Sequence, residues 1–163
     1  MSAQVFVGID PGLSGAVCIL DVSGITLFDM PTLKAGTKRT IDEIELARIV
    51  DRFVSGATAC ALEQVGVRPG EGAVGAFSFG RGYGLLRGIL RAHFVPIIDV
   101  TPARWKRDIG IKPGAGKDAS RALAKEHFQR NADLFARVKD DGRAEAALLA
   151  LWCSRNAEQK AAA

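Results

Sequence analysis

The chain has 163 residues, 48% of them hydrophobic and 25% charged, which is enough for one globular domain with a buried core. We place that domain at residues 1–156 and expect the tail at 157–163 to fray. The sequence has no apolar run of about 18 residues and no signal-peptide pattern, which argues against a membrane-spanning or secreted protein and predicts a cytoplasmic one.

Hydrophobic runs bounded by turn residues predict five strands. The first ends in an Asp-Pro-Gly turn at 10–12, which favours a hairpin with the second. The predicted strands cover residues 4–10, 15–21, 24–30, 58–63 and 94–100.

Helices are predicted between and after these strands. A Thr-x-x-Glu capping box at 40–43 predicts a helix that reaches residue 54, and a Thr-Pro cap at 101–102 predicts a short one. The glycine-rich segment after residue 66 is expected to begin as a mobile loop and to become helical at 79–92. Two further helices are predicted at 117–129 and 142–153. This order predicts an α/β protein with a mixed five-stranded sheet and helices on both faces.

Basic residues outnumber acidic ones by 22 to 18, a mild excess of +4. A basic rim around an acidic metal centre is what phosphodiester chemistry would need. The basic residues form three groups, of which the first is expected in one loop: Lys34, Lys38 and Arg39; Arg68, Arg81, Arg87 and Arg91; Arg104, Lys106, Arg107, Lys112 and Lys117.

The cysteines do not suggest a metal or disulfide framework. Cys18, Cys60 and Cys153 are widely spaced among apolar residues, which predicts reduced thiols in the core. With only His93 and His127 in addition, local spacing cannot assemble a Cys/His metal cluster.

Two carboxylates end predicted strands. Asp10 and Glu63 each follow apolar residues, and strand alternation allows both to lie on one side of the sheet. A third acidic set, Asp140-Asp141 with Glu145, opens the last helix. Because buried carboxylates are costly unless their charge is compensated, these sites indicate a shared divalent metal.

Helix geometry separates the two adjacent aspartates. Residues four apart project about 40° from each other and residues five apart about 140°, so Asp141 faces the same way as Glu145 and Asp140 does not. Asp141 is therefore the better ligand. The alternative is that Asp140 or Asp141 only caps the helix.

Three motifs resemble the RuvC-type Holliday junction resolvases, particularly their phage-encoded relatives: FVGIDPG at 6–12, ALEQV at 61–65 and DGRAEA at 141–146. The resemblance spans roughly residues 4–154. The first motif also resembles a phosphate loop of sugar-kinase and actin-like ATPases, but those enzymes need a second similar domain. The resemblance implies a ribonuclease H-like fold and a homodimeric, magnesium-dependent endonuclease that nicks four-way DNA junctions symmetrically.

The resemblance also implies roles for individual acids. Asp10 and Glu63 match the first two catalytic acids, and Glu145 matches the last. Bacterial members would place the remaining acid at Gly142, so here Asp141 is expected to replace it. These four residues are the predicted catalytic metal ligands.

Basic residues near these acids are predicted to bind DNA. Lys106 and Lys117 match family lysines and are expected to contact phosphate oxygens, and Lys117 is also expected to stabilise charge at the scissile phosphate. Arg68, Arg81 and Arg104 are additional DNA-binding candidates from the basic rim.

An aromatic residue is expected to stack at the junction. Bacterial members often carry one three residues after the second acid, where this chain has Gly66. Phe77, Phe79 or Tyr83 can replace it, at about 1–3 kcal/mol for stacking on an unpaired base. Ordinary helix packing is the alternative for all three.

The predicted dimer interface lies at residues 66–92, where the apolar residues exceed what one helix needs to cover its own sheet. Burial within the monomer is the alternative. The apolar residues in question are Phe79, Leu85, Leu86, Ile89 and Leu90.

The expected chemistry is two-metal phosphodiester hydrolysis that leaves 5′-phosphate and 3′-hydroxyl ends. Two Mg²⁺ ions, replaceable by Mn²⁺, suit the hard oxygen ligands, and no small-molecule cofactor is expected. The expected partner is four-way or branched DNA. A less selective branched-DNA or flap endonuclease and a non-catalytic junction-binding module are the alternatives.

Overall fold

A five-stranded mixed sheet forms the centre of the protein, whose computed structural model describes residues 4–66, 70–116 and 118–161. The strand order is β3-β2-β1-β6-β7; β1 pairs antiparallel with β2 and parallel with β6. The predicted mixed sheet is confirmed. Its strands are β1 (Phe6–Asp10), β2 (Ala16–Asp21), β3 (Gly24–Asp29), β6 (Ala59–Glu63) and β7 (Ile97–Val100).

Helices cover both faces of this sheet, as predicted, because side chains alternate along each strand and both sets are apolar. One face packs against α3, α4 and α5, and the other against α1 and α2. The helices are α1 (Glu43–Ile49), continued by a π-helical turn (Val50–Val54), α2 (Ala73–Ala92), α3 (Pro102–Asp108), α4 (Asp118–His127) and α5 (Asp141–Ala161); two 3₁₀ segments (Gln129–Phe135 and Val138–Asp140) join α4 to α5.

A separate hairpin replaces the loop predicted around the first basic group. Strands β4 (Thr32–Ala35) and β5 (Lys38–Ile41) pair antiparallel, with Lys34 opposite Arg39. Thr40 lies in β5, so the capping box predicted there is wrong. The N-cap of α1 is Asp42, whose side chain accepts a hydrogen bond from the Glu45 backbone N–H at 3.0 Å. The helix therefore begins two residues later than predicted, with a single aspartate cap.

Helix α2 begins at Ala73, six residues before the predicted start at 79. Glycine lowers helix propensity by about 1 kcal/mol per residue, but here tertiary packing sets the helix. Leu86 and Leu90 are fully buried against the sheet, so these two belong to the monomer core and not to the predicted dimer interface. The large apolar residues that α2 does expose are Val74 and Phe77.

Helix α5 lies directly on β1. A Cβ placed on Gly8 would come within 2.2 Å of both the Ala146 carbonyl oxygen and the Ala150 nitrogen. Only glycine allows this approach, which sets the depth of α5 against the strand that ends in Asp10. In the described ranges, no helix combines the length and apolarity needed to cross a membrane. The three cysteines are free and buried, as predicted.

Candidate active site

The carboxyl ends of β1 and β6 bring the first two predicted acids together. The strands are parallel neighbours, and Ile9 pairs with Leu62, so Asp10 and Glu63 end adjacent strands on the face covered by α5. Helix α5 adds Asp141 and Glu145 from its first two turns. We call Asp10, Glu63, Asp141 and Glu145 the acidic centre.

Glu63 is the buried member of the acidic centre. Its side chain accepts a hydrogen bond of 2.8 Å from the indole N–H of Trp105, and the Trp105 side chain is fully buried. The pKa of Glu63 is raised to about 7, first by burial and then by the charges of Asp10 and Glu145, whereas Trp105 and Lys106 act to lower it. The carboxylates are therefore close enough to destabilise one another's charge in the absence of an added cation.

Glu145 is held by two donors from different helices. Nζ of Lys106, on α3, lies 2.6 Å from Oε1 of Glu145, and the Ser120 hydroxyl, on α4, lies 3.3 Å from the same oxygen. The Lys106 ammonium is also 5.2 Å from the centre of the Trp105 ring. Lys106 thus lies between Glu145, a member of the acidic centre, and Trp105, which binds Glu63.

The two adjacent aspartates point to different surroundings. Asp140 is 1% exposed and accepts hydrogen bonds from the backbone and guanidinium of Arg137, which hold its pKa below the usual range despite burial. Asp141 lines the cleft beside Glu145, and Nε of Arg121 lies 2.8 Å from its Oδ1. Asp140 therefore closes the 3₁₀ segment Val138–Asp140 that precedes α5.

Gly142 explains the shifted spacing of the helical acids. A Cβ at this position would lie 2.3 Å from the carbonyl oxygen of Ser14 and 2.8 Å from Cα of Gly15. No acidic side chain fits there, because the first turn of α5 rests on the turn between β1 and β2. An acid one residue earlier, at Asp141, reaches the cleft instead.

A cleft of about 880 Å³ opens over the acidic centre. Asp10, Asp141 and Glu145 lie in its wall, while Glu63 lies beneath. Among the described residues, the basic side chains in the wall are Lys106, Arg107 and Lys112. An acidic floor with a basic rim has the charge pattern for a phosphate backbone that approaches bound cations.

The remaining predicted DNA contacts lie in different places. Phe79 lines both the cleft and an adjoining hollow of about 260 Å³, which Arg81 also lines; the Arg81 guanidinium donates to the Thr40 hydroxyl at 3.1 Å. Phe77 is 75% exposed. Arg104 lies over the Trp152 ring and is not part of the cleft wall.

Two predicted residues, Lys117 and Arg68, lie outside the described residues. Their assigned roles stay predictions. Two described residues close to them in sequence line the cleft: Gly116, which precedes Lys117, and Gly66, two residues before Arg68.

Sequence reasoning missed three residues that contact the acidic centre: Trp105, Ser120 and Arg121. Trp105 precedes a predicted site lysine, and a tryptophan in an apolar helix face needs a partner for its N–H, which is a usable signal. Ser120 and Arg121 gave no such signal, because their partners on α5 are twenty or more residues away along the chain.

The donor set suits a hard divalent cation, since all four predicted ligands are carboxylates. The raised pKa of Glu63 indicates that its carboxylate is short of compensating positive charge. Within residues 4–66, 70–116 and 118–161, no three Asp, Glu, His or Cys side chains are close enough to hold a metal ion in this conformation.

Comparison with solved structures identifies the fold. The Thermus thermophilus RuvC in complex with a Holliday junction substrate superposes with a TM-score of 0.69 over 96% of each chain, at 17% identity. The chain has the RuvC fold. A second structure of Thermus thermophilus RuvC superposes with a TM-score of 0.56 over 94% of this chain and 96% of that one, at 18% identity. The RuvC fold confirms the ribonuclease H-like class predicted from the sequence.

Sequence comparison adds one curated relative. The chloroplastic Holliday junction resolvase MOC1 of Chlamydomonas reinhardtii is 34% identical over 86 residues, which are 53% of this chain. The matched part is 10% of the length of that relative. No family model matches the chain.

Proposed function

We propose that this protein is a Holliday junction resolvase, a metal-dependent endonuclease that makes paired, symmetric nicks in four-way DNA junctions. The observation that carries the proposal is a basic-rimmed cleft lined by Asp10, Asp141 and Glu145, with the buried Glu63 close enough to feel the charges of Asp10 and Glu145. Junction resolvases among its relatives and structural neighbours support the same substrate.

Asp10, Glu63, Asp141 and Glu145 are the residues that would hold two Mg²⁺ ions, with Mn²⁺ as a substitute. Bound there, the ions supply an activated water and a charge that stabilises the departing 3′ oxygen, which leaves 5′-phosphate and 3′-hydroxyl ends. Trp105 fixes Glu63 in place, and Ser120 does the same for Glu145. These hydrogen bonds thus orient the carboxylates of Glu63 and Glu145 before a metal binds.

Lys106 has two roles in this proposal. In the metal-free protein its ammonium neutralises Glu145. When Glu145 becomes a ligand, the freed ammonium, which is about one-third exposed, can turn to a phosphate oxygen at the cleft rim.

A two-fold substrate needs two active sites, so we propose a homodimer. The exposed face of α2 supports this assembly, because Val74 and Phe77 lie beside Gly80, Gly84 and Gly88, where an added Cβ would meet no atom within 4 Å. A second helix can therefore approach closely. Sedimentation should give a species near twice 17.3 kDa, and a strict monomer would contradict this part of the proposal.

The experiment that tests the function compares four substrates of shared sequence in Mg²⁺: a mobile junction, a fixed junction, a flap and a linear duplex. Cut positions are mapped on every strand, and a cruciform plasmid reports whether both nicks occur in one encounter. We expect symmetric cuts on junctions and linear plasmid with few nicked circles. Equal cutting of the flap would instead identify a general branch endonuclease, and junction binding without cutting would identify a non-catalytic module.

A further inference from the structure

Arg121 is a buried cation beside the acidic centre. Its side chain is only 11% exposed, and within the part of the chain that the structure describes the buried charged residues are Glu63, Arg121 and Asp140. Arg121 lies on α4, one residue after Ser120. Two successive residues of α4 therefore face two acids of α5, since Ser120 contacts Glu145 and Arg121 contacts Asp141.

The contact between Arg121 and Asp141 is close but poorly aligned. Nε and Oδ1 are 2.8 Å apart, yet neither atom makes a hydrogen bond, and both are shielded from solvent. Another nitrogen of Arg121 binds Asp118, whose side chain is 84% exposed. Arg121 is thus anchored at the surface by Asp118 and directed inward at Asp141.

Stability alone does not account for this arrangement. Burying a charged group costs several kcal/mol, and a misaligned pair recovers little of that cost. The exposed pair with Asp118 adds at most about 1 kcal/mol. An apolar side chain of similar length would pack α4 against α5 at least as well. The guanidinium is therefore explained by the acidic centre and not by helix packing.

We propose that Arg121 is a positioning residue of the metal centre, which holds Oδ1 of Asp141 and leaves Oδ2 to bind the cation. The inference rests on the proposed function and extends it to a residue behind the ligands. Arg121 differs from Lys106, because Lys106 occupies a ligand oxygen at the cleft and must leave, whereas Arg121 approaches from the buried side and stays. Outer partners of metal ligands typically change affinity by about 10–100-fold when removed.

The test measures metal binding without DNA. Mn²⁺ affinity is followed by electron paramagnetic resonance for the parent, Arg121→Met and Arg121→Lys, with thermal unfolding recorded for each. We expect Arg121→Met to bind Mn²⁺ about 10–100-fold more weakly and Arg121→Lys to lie between it and the parent. The matched control is Arg143→Met, which removes a cation that ties α5 to Asp29 at 2.6 Å without touching a predicted ligand. This control should lower the unfolding temperature and leave the affinity unchanged.

Each result decides the inference. Parent-like or tighter Mn²⁺ binding by Arg121→Met would overturn it, and if that variant does not fold, parent-like binding by Arg121→Lys would do so. Junction cleavage by the parent is measured in parallel. If the parent cuts junctions and the variants bind Mn²⁺ as tightly as the parent does, only the proposed role of Arg121 is refuted. If Mn²⁺ binding depends on Arg121 but the parent cuts no junction, only the proposed function is refuted. If the parent binds no Mn²⁺, both the proposed function and the role of Arg121 are refuted.

Discussion

The strand-borne and helix-borne halves of the acidic centre have different partners. On the strands, Glu63 is buried and bound by a neutral indole, and its pKa is raised to about 7. On α5, Glu145 and Asp141 each face a protein cation, Lys106 and Arg121. Burial therefore destabilises the charge of Glu63, which a metal would relieve, whereas the two helix acids are already paired with protein cations.

The largest effect is expected from the strand half. Asp10→Asn or Glu63→Gln should lower junction cleavage by about 10³-fold or more, because a lost metal ligand removes several kcal/mol of transition-state stabilisation. Junction affinity, measured by gel shift in Ca²⁺, should change little since the basic rim is intact. Near-normal nicking by either variant would refute the metal-site assignment.

The second expectation separates the two aspartates at the start of α5. Asp141→Asn should cost about 10²-fold in cleavage, whereas Asp140→Asn should cost little activity and lower the free energy of unfolding by about 1–3 kcal/mol, because its hydrogen bonds from Arg137 weaken. Rate and thermal unfolding are measured on both variants. The opposite order of activities would show that Asp140 is the ligand.

A smaller effect is expected from the cations. Lys106→Ala and Lys117→Ala should weaken cleavage, and for a lost phosphate contact the slope of log affinity against log salt should fall by about one unit. Binding is measured over a range of salt concentrations. If both variants cut like the parent at about 0.15 M salt, neither lysine has the proposed role.

The smallest effect sharpens the comparison through pH. The folded pKa of Glu63, about 7, lies above its ordinary value of 4.5, so the folded state binds more protons between these values and stability falls as pH rises through that window. Without metal, Glu63→Gln should therefore be more stable than the parent at pH 8, by about 1–3 kcal/mol. The advantage should vanish near pH 4. Equal pH profiles of unfolding for the two proteins would exclude a raised pKa.

The sequence predicted the strand half well, and for a physical reason. Alternation along β1 and β6 is a local property, so the common face of Asp10 and Glu63 follows from the pattern alone. The choice of Asp141 over Asp140 likewise needed only the helical period, and the structure places Asp141 in the cleft. Their roles as ligands remain predictions.

The helix half was less accessible from sequence. Lys106 and Glu145 are 39 residues apart, and no local pattern pairs them. The strands β4 and β5 are short and polar, so they gave no apolar alternation. The glycines of α2 lowered its predicted helix propensity, although Leu86 and Leu90 pack this helix against the sheet. In each case the deciding contact joins distant parts of the chain.

The hydrogen bond from Trp105 to Glu63 gives the protein an internal optical probe. An indole whose N–H binds a carboxylate changes its emission when the charge of that carboxylate is neutralised, so titration with a divalent cation can be followed by intrinsic fluorescence without a label. The chain has one other tryptophan, Trp152, whose indole donates to Asp108 at 3.0 Å. A Trp152→Phe protein would leave Trp105 as a single emitter located at the candidate active site.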